Sequence, residues 1–236
     1  MTPQRANNNM VTIAERLNNA YDRIAKAEQN SHKTDPVQLL AVSKTKPIEL
    51  VQQAYDAGQR LFGESYVQEA VDKVSHFKQH QDIEWHFIGP IQSNKSRHIA
   101  EHFSWVQSVD RLKIARRLNE QRPTNLKPLN ILIQVNISGD DNKSGCLPSE
   151  LEELAEFIQE SRQLNLRGLM TITAKTDDPQ QQLEYFQQMK DCFDKLQAQY
   201  PQIDTLSMGM SGDLEPAIAA GATMVRIGTD IFGQRQ

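Results

Sequence analysis

Residues 38–47 read QLLAVSKTKP, a short apolar run that ends abruptly at Lys44. An apolar run of this length, bounded by turn signals, is typical of a buried strand. Pro47 then opens a helical pattern, because proline is favoured in the first turn of a helix. A strand that leads directly into a helix is the repeating unit of α/β folds, and the same alternation continues along the chain.

Strand-like runs and helical patterns alternate from one end of the chain to the other. The predicted strands are 38–43, 60–63, 84–88, 105–109, 130–136, 166–170, 204–207 and 223–227. The predicted helices that follow them are 48–57, 66–77, 95–102, 112–121, 150–161, 179–199 and 214–220. A further amphipathic helix precedes the first strand, and its predicted apolar face consists of Val11, Ile13, Leu17, Tyr21, Ile24 and Ala25.

Eight strands alternating with helices in a chain of 236 residues predict an α/β fold, a single (β/α)8 TIM barrel with an extra N-terminal helix. A doubly wound open sheet is the alternative, but that fold usually needs fewer strands. No composition shift, proline-rich linker or internal repeat marks a second domain. We therefore expect one barrel domain over residues 10–236, after a flexible N-terminus at residues 1–9.

The composition excludes several classes of protein. Lys plus Arg is 26 and Asp plus Glu is 30, and the net charge of −4 argues against a nucleic-acid binder with a broad basic field. The apolar runs are too short to cross a bilayer, and residues 1–9 lack the apolar core of a signal peptide. Cys146 and Cys192 are the only cysteines and no metal-ligand spacing is present, so we expect a cytoplasmic protein without a metal site.

In a (β/α)8 barrel, the working residues lie at the carboxyl ends of the strands, and Lys44 follows the first strand. Partial burial disfavours the ammonium form of a lysine, and the neutral amine attacks aldehydes to form imines. A surface lysine that extends to water is the alternative interpretation of Lys44. Lys143, after the fifth strand, is a second candidate amine near the mouth of the barrel, with a solvated loop lysine as its alternative.

The loops after the last two strands have the composition of a phosphate site. Gly209 and Ser211 follow the seventh strand, and Gly228 and Thr229 follow the eighth. Glycine lets backbone N–H groups approach phosphate oxygens, while Ser207, Ser211 and Thr229 offer hydroxyl groups. Ordinary helix N-caps are the alternative for Ser211 and Thr229. Because both loops supply the same groups, we favour phosphate.

Arg226 alternates with Val225 and Ile227 in the eighth strand, so we expect its side chain on the opposite face of that strand. A buried arginine needs a partner, either a neighbouring carboxylate or a ligand. A lysine, a phosphate cradle and an arginine together describe a ligand with an aldehyde, a phosphate and an acceptor atom. Pyridoxal 5′-phosphate has all three, with Lys44 as the imine partner and Arg226 as the donor to the pyridine nitrogen.

Five segments of the chain resemble one known family. They are 40–47 LAVSKTKP, 62–69 FGESYVQE, 85–95 WHFIGPIQSNK, 206–211 LSMGMS and 225–229 VRIGT. Together they resemble the pyridoxal phosphate homeostasis proteins, relatives of the barrel domain of bacterial alanine racemase. Members of that family usually have asparagine at the position of Ser65, and serine is shorter and offers one donor.

The resemblance implies a single (β/α)8 barrel that holds pyridoxal phosphate as an aldimine on Lys44. It also implies a contact between Arg226 and the pyridine nitrogen. The phosphate contacts that it implies come from Ser207, Gly209, Ser211, Gly228 and Thr229. Ser65 completes the expected cofactor-binding residues, and no catalytic residue is expected.

The expected function is intracellular vitamin B6 homeostasis by a monomer that buffers pyridoxal phosphate and delivers it to apo-enzymes. An amino-acid racemase of low activity is the first alternative. Racemase relatives take a second base, a tyrosine, from a separate C-terminal domain, which we expect to be absent because the chain ends at Gln236. Tyr66, just after the second strand, is the candidate for such a base within the barrel. A Schiff-base aldolase that uses Lys44 on a phosphorylated sugar is the second alternative.

Overall fold

A computed structural model describes residues 11–234, so the expected flexible segment at residues 1–9 lies outside the described residues. The described chain contains a closed barrel of parallel strands in the order β1 to β8. The strands are β1 (Gln38–Val42), β2 (Leu61–Glu64), β3 (Glu84–Phe87), β4 (Trp105–Val109), β5 (Leu129–Gln134), β6 (Leu164–Met170), β7 (Thr205–Met210) and β8 (Met224–Ile227). The predicted (β/α)8 barrel is therefore confirmed.

A helix follows each strand, and one helix precedes the barrel. They are α1 (Ile13–Asn30), α2 (Ile48–Asp56), α3 (Val67–His76), α4 (Ser96–His102), α5 (Leu112–Gln121), α6 (Leu151–Glu160), α7 (Pro179–Gln199), α8 (Leu214–Ala219) and α9 (Thr229–Phe232). A 3-10 turn, Pro148–Glu150, leads into α6. In residues 11–234, no helix is both long enough and apolar enough to span a bilayer.

The structure differs from the prediction mainly where strands end. Strand β7 continues to Met210, three residues past the predicted end, and its register with β8 shifts between Ser207 and Met210. Strand β5 instead ends at Gln134, before its predicted end at residue 136. Asn136 lies in the following loop, where its side-chain amide donates to the carbonyl of Asp140 at 2.9 Å. Polar side chains with local backbone partners favour loops over strands, and hydropathy alone does not reveal such partners.

Helix α1 packs against α8 and α9 with a face that overlaps the predicted one at Ile13, Leu17 and Ile24. Its buried residues are Ile13, Leu17, Ala20, Ile24 and Ala27. The prediction was wrong for Val11, Tyr21 and Ala25, all of which are exposed. Small alanines allow helices to approach closely, so the buried face includes Ala20 and Ala27 beside the larger Ile13, Leu17 and Ile24.

The pairing of β1 with β8 closes the barrel and brings the first and last strands side by side. Leu40 is opposite Arg226 and Ala41 is opposite Ile227. The loop that contains Lys44 therefore emerges next to the loop that begins at Gly228. This proximity depends on barrel closure, because the two loops are far apart in the sequence.

The barrel has an apolar outer layer and a partly polar interior. The main core lies between the strands and the surrounding helices, whereas Trp105, Leu132 and Met170 form a separate cluster. Next to Trp105 lies the buried side chain of His86, whose ring stacks on the indole at 5.0 Å between centroids. Gln107 contacts His86 Nδ1 through Nε2 at 2.9 Å. Hydrogen bonds thus replace apolar packing in part of the barrel interior.

His86 is held in the neutral form by its surroundings. Burial, and then the positive charge of Arg167, lower the pKa of His86 from 6.5 to about 3. Its Nε2 lies 3.9 Å from the carboxylate of Glu84, but a neutral ring forms no ion pair with that group. Since the neutral ring accepts from Gln107 at Nδ1, its proton is on Nε2.

The burial of His86 predicts that the folding stability of the protein falls in acid. His86→Asn should reduce this loss. Because the folded pKa lies below the unfolded value, only the unfolded chain binds the proton between about pH 6.5 and 3. The stability due to this group is therefore complete above that range and is lost as the pH falls. Asparagine retains an acceptor for Gln107 and does not titrate. We expect the free energy of unfolding of His86→Asn to fall less steeply with decreasing pH than that of wild type. The difference in slope is up to about 1.4 kcal/mol per pH unit.

Urea unfolding between about pH 7 and pH 4 measures this difference in slope. His98→Asn, at an exposed position on α4, removes an imidazole without changing the barrel interior and should follow the wild-type curve. Parallel curves for His86→Asn and wild type would contradict the assignment of a neutral buried His86.

Candidate functional site

Lys44 lies two residues beyond β1 and borders a cavity of about 650 Å³ at the carboxyl end of the barrel. Its side chain is half-buried. The cavity is also lined by Ser65, Tyr66, Val67, Gln68, Ile88, Gly89, Pro90, Ile91, Gln92, Lys95, Asp110, Arg111, Ser144 and Ile172. The structure thus places the predicted amine beside a space large enough for a small cofactor.

Ser65 borders the same cavity because the loops after β2 and β3 pack closely together. Gly89 makes this contact: a Cβ at that position would lie 2.3 Å from the carbonyl oxygen of Ser65. Any side chain at Gly89 would therefore push the two loops apart. The structure brings Ser65 and Lys44 together, whereas a contact between Ser65 and a cofactor stays a prediction.

A cluster of charged side chains from β2 and α3 contacts the turn that contains Lys44. Lys73 Nζ donates to Glu64 Oε1 at 2.8 Å and to Glu69 Oε1 at 2.5 Å. It also donates to the carbonyl of Ser43 at 2.7 Å. Sequence reasoning did not predict this cluster. The spacing of Glu69 and Lys73, four residues apart on one helix, was the available signal.

Arg226 extends into the barrel interior, the face predicted from strand alternation. Its Nη1 donates to Ser207 Oγ at 2.7 Å, and its Nη2 donates to the carbonyl of Thr171 at 2.8 Å. Burial lowers the pKa of Arg226 to about 10, with the Asp213 carboxylate opposing that shift. The guanidinium therefore remains protonated near neutral pH. Two of its five N–H donors are engaged in these contacts.

Ser207 supports Arg226 from inside the barrel. Its hydroxyl is fully buried, accepts from Arg226 Nη1 and donates to Gln107 Oε1 at 2.7 Å. The hydroxyl is thus engaged by neighbouring side chains, and its predicted phosphate contact stays a prediction. Gln107 was missed in the sequence, although a glutamine within an apolar strand was a signal of a polar interior.

The structure places Gly209 within β7, one residue before the strand ends, rather than in the loop after it, and gives it a φ of +94°. A Cβ at Gly209 would lie 2.6 Å from Ala217 Cβ, so a larger residue would disturb the contact with α8. The turn is closed by Asp213, whose Oδ1 accepts from the amide of Met210 at 2.6 Å. Ser211 lies within this turn and is half-buried. These contacts hold the backbone of the loop in one conformation.

The loop after β8 lies against the end of β1. A Cβ at Gly228 would lie 3.2 Å from the carbonyl oxygen of Val42, and Thr229 begins the short helix α9. Gly209, Ser211, Gly228 and Thr229 are not among the residues that line the Lys44 cavity. The structure therefore places the cavity towards β2–β6 and the predicted phosphate loops after β7 and β8, with Lys44 between them.

Lys143 borders a smaller cavity of about 180 Å³. Ser144, Ile88, Pro90 and Ile172 line both cavities, so Lys143 lies beside the mouth of the larger one. Within the described part of the chain, no group of three or more His, Cys, Asp or Glu side chains is arranged to hold a metal ion.

Comparison with known proteins identifies close relatives of the chain. The family described as alanine racemase, N-terminal domain, matches residues 16–236. A pyridoxal phosphate homeostasis protein of Vibrio alginolyticus is 57% identical over 96% of this chain and 99% of the relative. The protein of the same name in Escherichia coli K12 is 55% identical over 96% of this chain and 98% of the relative.

Solved structures share the fold at two levels of similarity. PipY of Synechococcus elongatus PCC7942, solved with PLP bound, is 36% identical, with a TM-score of 0.83 over 94% of this chain and all of PipY. An alanine racemase of Clostridium difficile 630 is 15% identical, with a TM-score of 0.67 over 92% of this chain and 57% of the racemase. The second likeness shows the barrel fold alone.

The names of the curated relatives are those of homeostasis proteins rather than of racemases or aldolases. Their similarity extends over nearly the whole length of both chains, and the family model covers the barrel from α1 onward. The chain therefore belongs to the pyridoxal phosphate homeostasis protein family, within the wider family of the alanine racemase N-terminal domain.

Proposed function

We propose that this chain binds pyridoxal 5′-phosphate at the carboxyl end of the barrel and acts in vitamin B6 homeostasis. The observation that carries the proposal is the position of Lys44, half-buried beside a 650 Å³ cavity and close to the strand that contains Arg226. The relative PipY, which was solved with PLP bound, supports the same ligand for this chain.

The residues at this face fit the cofactor. A buried, protonated guanidinium provides a donor for an acceptor atom, and two glycine-containing loops provide backbone groups for an anion. When bound, pyridoxal phosphate supplies an aldehyde that condenses with a lysine amine and releases one water. Lys44 is the residue that we assign to this link. Lys44 lines the cavity, so the proposal places the link at the edge of that space.

We assign Arg226 to the pyridine nitrogen of the cofactor. Ser207 and the carbonyl of Thr171 orient the guanidinium, so a further N–H group can donate to the ring. A protonated arginine keeps its proton and leaves the pyridine nitrogen unprotonated. The ring is then a weak electron sink, which favours holding the cofactor over carbanion chemistry.

We assign the phosphate to the end of β7 and to the loops after β7 and β8, with Gly209, Ser211, Gly228 and Thr229 as its contacts. Ser207 contributes through Arg226, and Ser65 completes the site from the opposite side of Lys44. The turn after β7 supports the assignment because Gly209, just before it, has a positive φ and the bond from the Met210 amide to Asp213 Oδ1 closes it. A preformed loop binds an anion without a large ordering cost.

A carrier role fits these groups better than racemisation. A two-base racemase needs a second base, and Tyr66 is a candidate because it borders the cavity with half of its surface exposed. The names of the close relatives favour homeostasis, and the assigned role of Arg226 disfavours the carbanion that racemisation requires. We propose a cytoplasmic monomer that buffers the cofactor and passes it to apo-enzymes.

Replacing Lys44 tests the covalent part of the proposal. We expect Lys44→Ala to fold, to bind pyridoxal phosphate at least about tenfold more weakly, and to lose the colour of the bound cofactor. Borohydride treatment of the wild-type complex should add the cofactor mass to the Lys44 peptide. Lys143→Ala is a matched control, since it removes another amine near the mouth and should leave the modification unchanged.

Two outcomes would contradict this assignment. Modification of the Lys143 peptide instead of the Lys44 peptide would move the link to the other loop. A colourless protein that takes up no pyridoxal phosphate, but whose Lys44 is trapped by borohydride with a phosphorylated sugar, would favour the aldolase alternative.

Replacing Arg226 tests the ring contact. Arg226→Gln retains an N–H donor but loses the charge and the fork that holds Ser207 and Thr171. We expect the affinity for pyridoxal phosphate to fall at least about tenfold, because a hydrogen bond to a charged group contributes about 1.5–3 kcal/mol. The Lys44 peptide should still be modified. Circular dichroism first shows that the variant is folded, and titration with pyridoxal phosphate then measures the change in affinity. An unaltered affinity would refute the contact.

A transfer assay separates the carrier from the racemase. Loaded protein is mixed with an apo-enzyme and with a trap that removes free pyridoxal phosphate. Activation of the apo-enzyme despite the trap is the expected result for direct delivery. Racemisation of alanine at enzyme-like rates, abolished by Lys44→Ala and by Tyr66→Phe, would instead favour the racemase.

A further inference from the structure

Hydrogen bonds join the turn that contains Lys44 to the Lys73 cluster, which we define as Glu64, Glu69 and Lys73. Glu64 and Lys73 are 0% and 3% exposed, and Glu69 is 29% exposed. The cluster joins the end of β2 to α3 and lies against the turn after β1. Its role is not explained by the direct cofactor contacts proposed above.

The cluster binds the residues on both sides of Lys44. Before Lys44, Lys73 Nζ donates to the carbonyl of Ser43 at 2.7 Å, and Ser43 Oγ donates to Glu64 Oε1 at 2.6 Å. After Lys44, the amide of Thr45 donates to Glu69 Oε1 at 2.7 Å. Two hydrogen bonds with one cluster thus hold the backbone before and after the lysine, and a third holds the Ser43 side chain.

The backbone at Thr45 shows why such support is needed. Thr45 has a φ of +61°, in the left-handed region that β-branched residues rarely adopt. A residue remains in this region only when its surroundings hold it there, and such positions are concentrated at functional sites. The bond from the Thr45 amide to Glu69 supplies that support directly after Lys44.

Stability alone is a poor explanation for the cluster. Burial raises the pKa of Glu64, and the charge and hydrogen bond of Lys73 oppose that shift. Buried ion pairs are often no more stabilising than apolar side chains of similar size, because the charges lose their hydration. An apolar residue at position 73 would fill the space, but it would leave the Ser43 carbonyl without this donor.

We propose that Glu69 and Lys73 are positioning residues that direct Lys44 towards the cavity so that its amine meets the cofactor aldehyde. The inference rests on the proposed function of Lys44. Orientation matters because a reactive group already held near its partner avoids the entropy cost of finding it. The cluster should therefore affect the covalent link more than it affects binding of the ring and the phosphate.

Glu69→Ala is the primary test, because Glu69 is partly exposed and its loss leaves the Glu64–Lys73 pair intact. Affinity is measured for pyridoxal phosphate and for pyridoxine 5′-phosphate, which has an alcohol in place of the aldehyde. We expect the affinity for pyridoxal phosphate to fall about tenfold while that for pyridoxine phosphate changes less than about twofold. The absorbance of the covalent complex should fall in parallel.

Two further variants supply the controls. Glu69→Gln retains a side-chain oxygen for the Thr45 amide and should restore most of the preference for the aldehyde. Asp72→Ala removes a carboxylate from the exposed side of the same helix and should behave as wild type. Lys73→Met, which removes the donor to the Ser43 carbonyl, should repeat the pattern of Glu69→Ala.

The outcomes separate the inference from the function on which it rests. If wild type prefers pyridoxal phosphate and Glu69→Ala retains that preference, or weakens both ligands equally, the inference is overturned and the proposed function stands. If wild type binds both ligands equally and forms no link on Lys44, the proposed function fails and the inference fails with it.

Discussion

The hydrogen bonds between β1 and β8 close the barrel, and the geometry of the candidate site depends on them. They place Leu40 opposite Arg226 and so bring Lys44, near the start of the barrel, beside the loop that begins at Gly228. The loop after β8 is packed so closely that a Cβ at Gly228 would lie 3.2 Å from Val42 O. Without this pairing, the amine and the arginine would belong to opposite edges of an open sheet.

Two hydrogen-bonded systems support the site from different sides. Inside the barrel, Gln107 and Ser207 hold Arg226, and Gln107 also contacts the neutral ring of His86. Outside it, Lys73 links α3 to the turn that contains Lys44. Most of the buried polar atoms in both systems have partners, as such groups usually do, whereas Glu64 Oε2 and His86 Nε2 have no hydrogen-bond partner among the described residues. Each of the two proposed cofactor contacts thus has its own support.

The fold was largely predictable from sequence because alternating strands and helices leave a strong pattern. Strand alternation also placed Arg226 on the face opposite Val225 and Ile227, and its interior contacts are those of that face. The apolar face of α1 was less predictable, because Tyr21 is exposed and its hydroxyl donates to Gln59 Oε1 at 2.6 Å. Hydropathy ranks side chains by size and polarity, whereas burial depends on what packs against them.

The sequence by itself determined the kind of fold, the family and the candidate residues, since these follow from local patterns and from short motifs around Lys44 and Arg226. Only the tertiary structure decided how those residues are held. Inside the barrel, the Ser207 hydroxyl accepts a hydrogen bond from Arg226. Outside it, Lys73 of α3 donates to the Ser43 carbonyl in the turn after β1. Such contacts join residues that are distant in the chain. They depend on packing between elements, which the pattern within any one element does not specify.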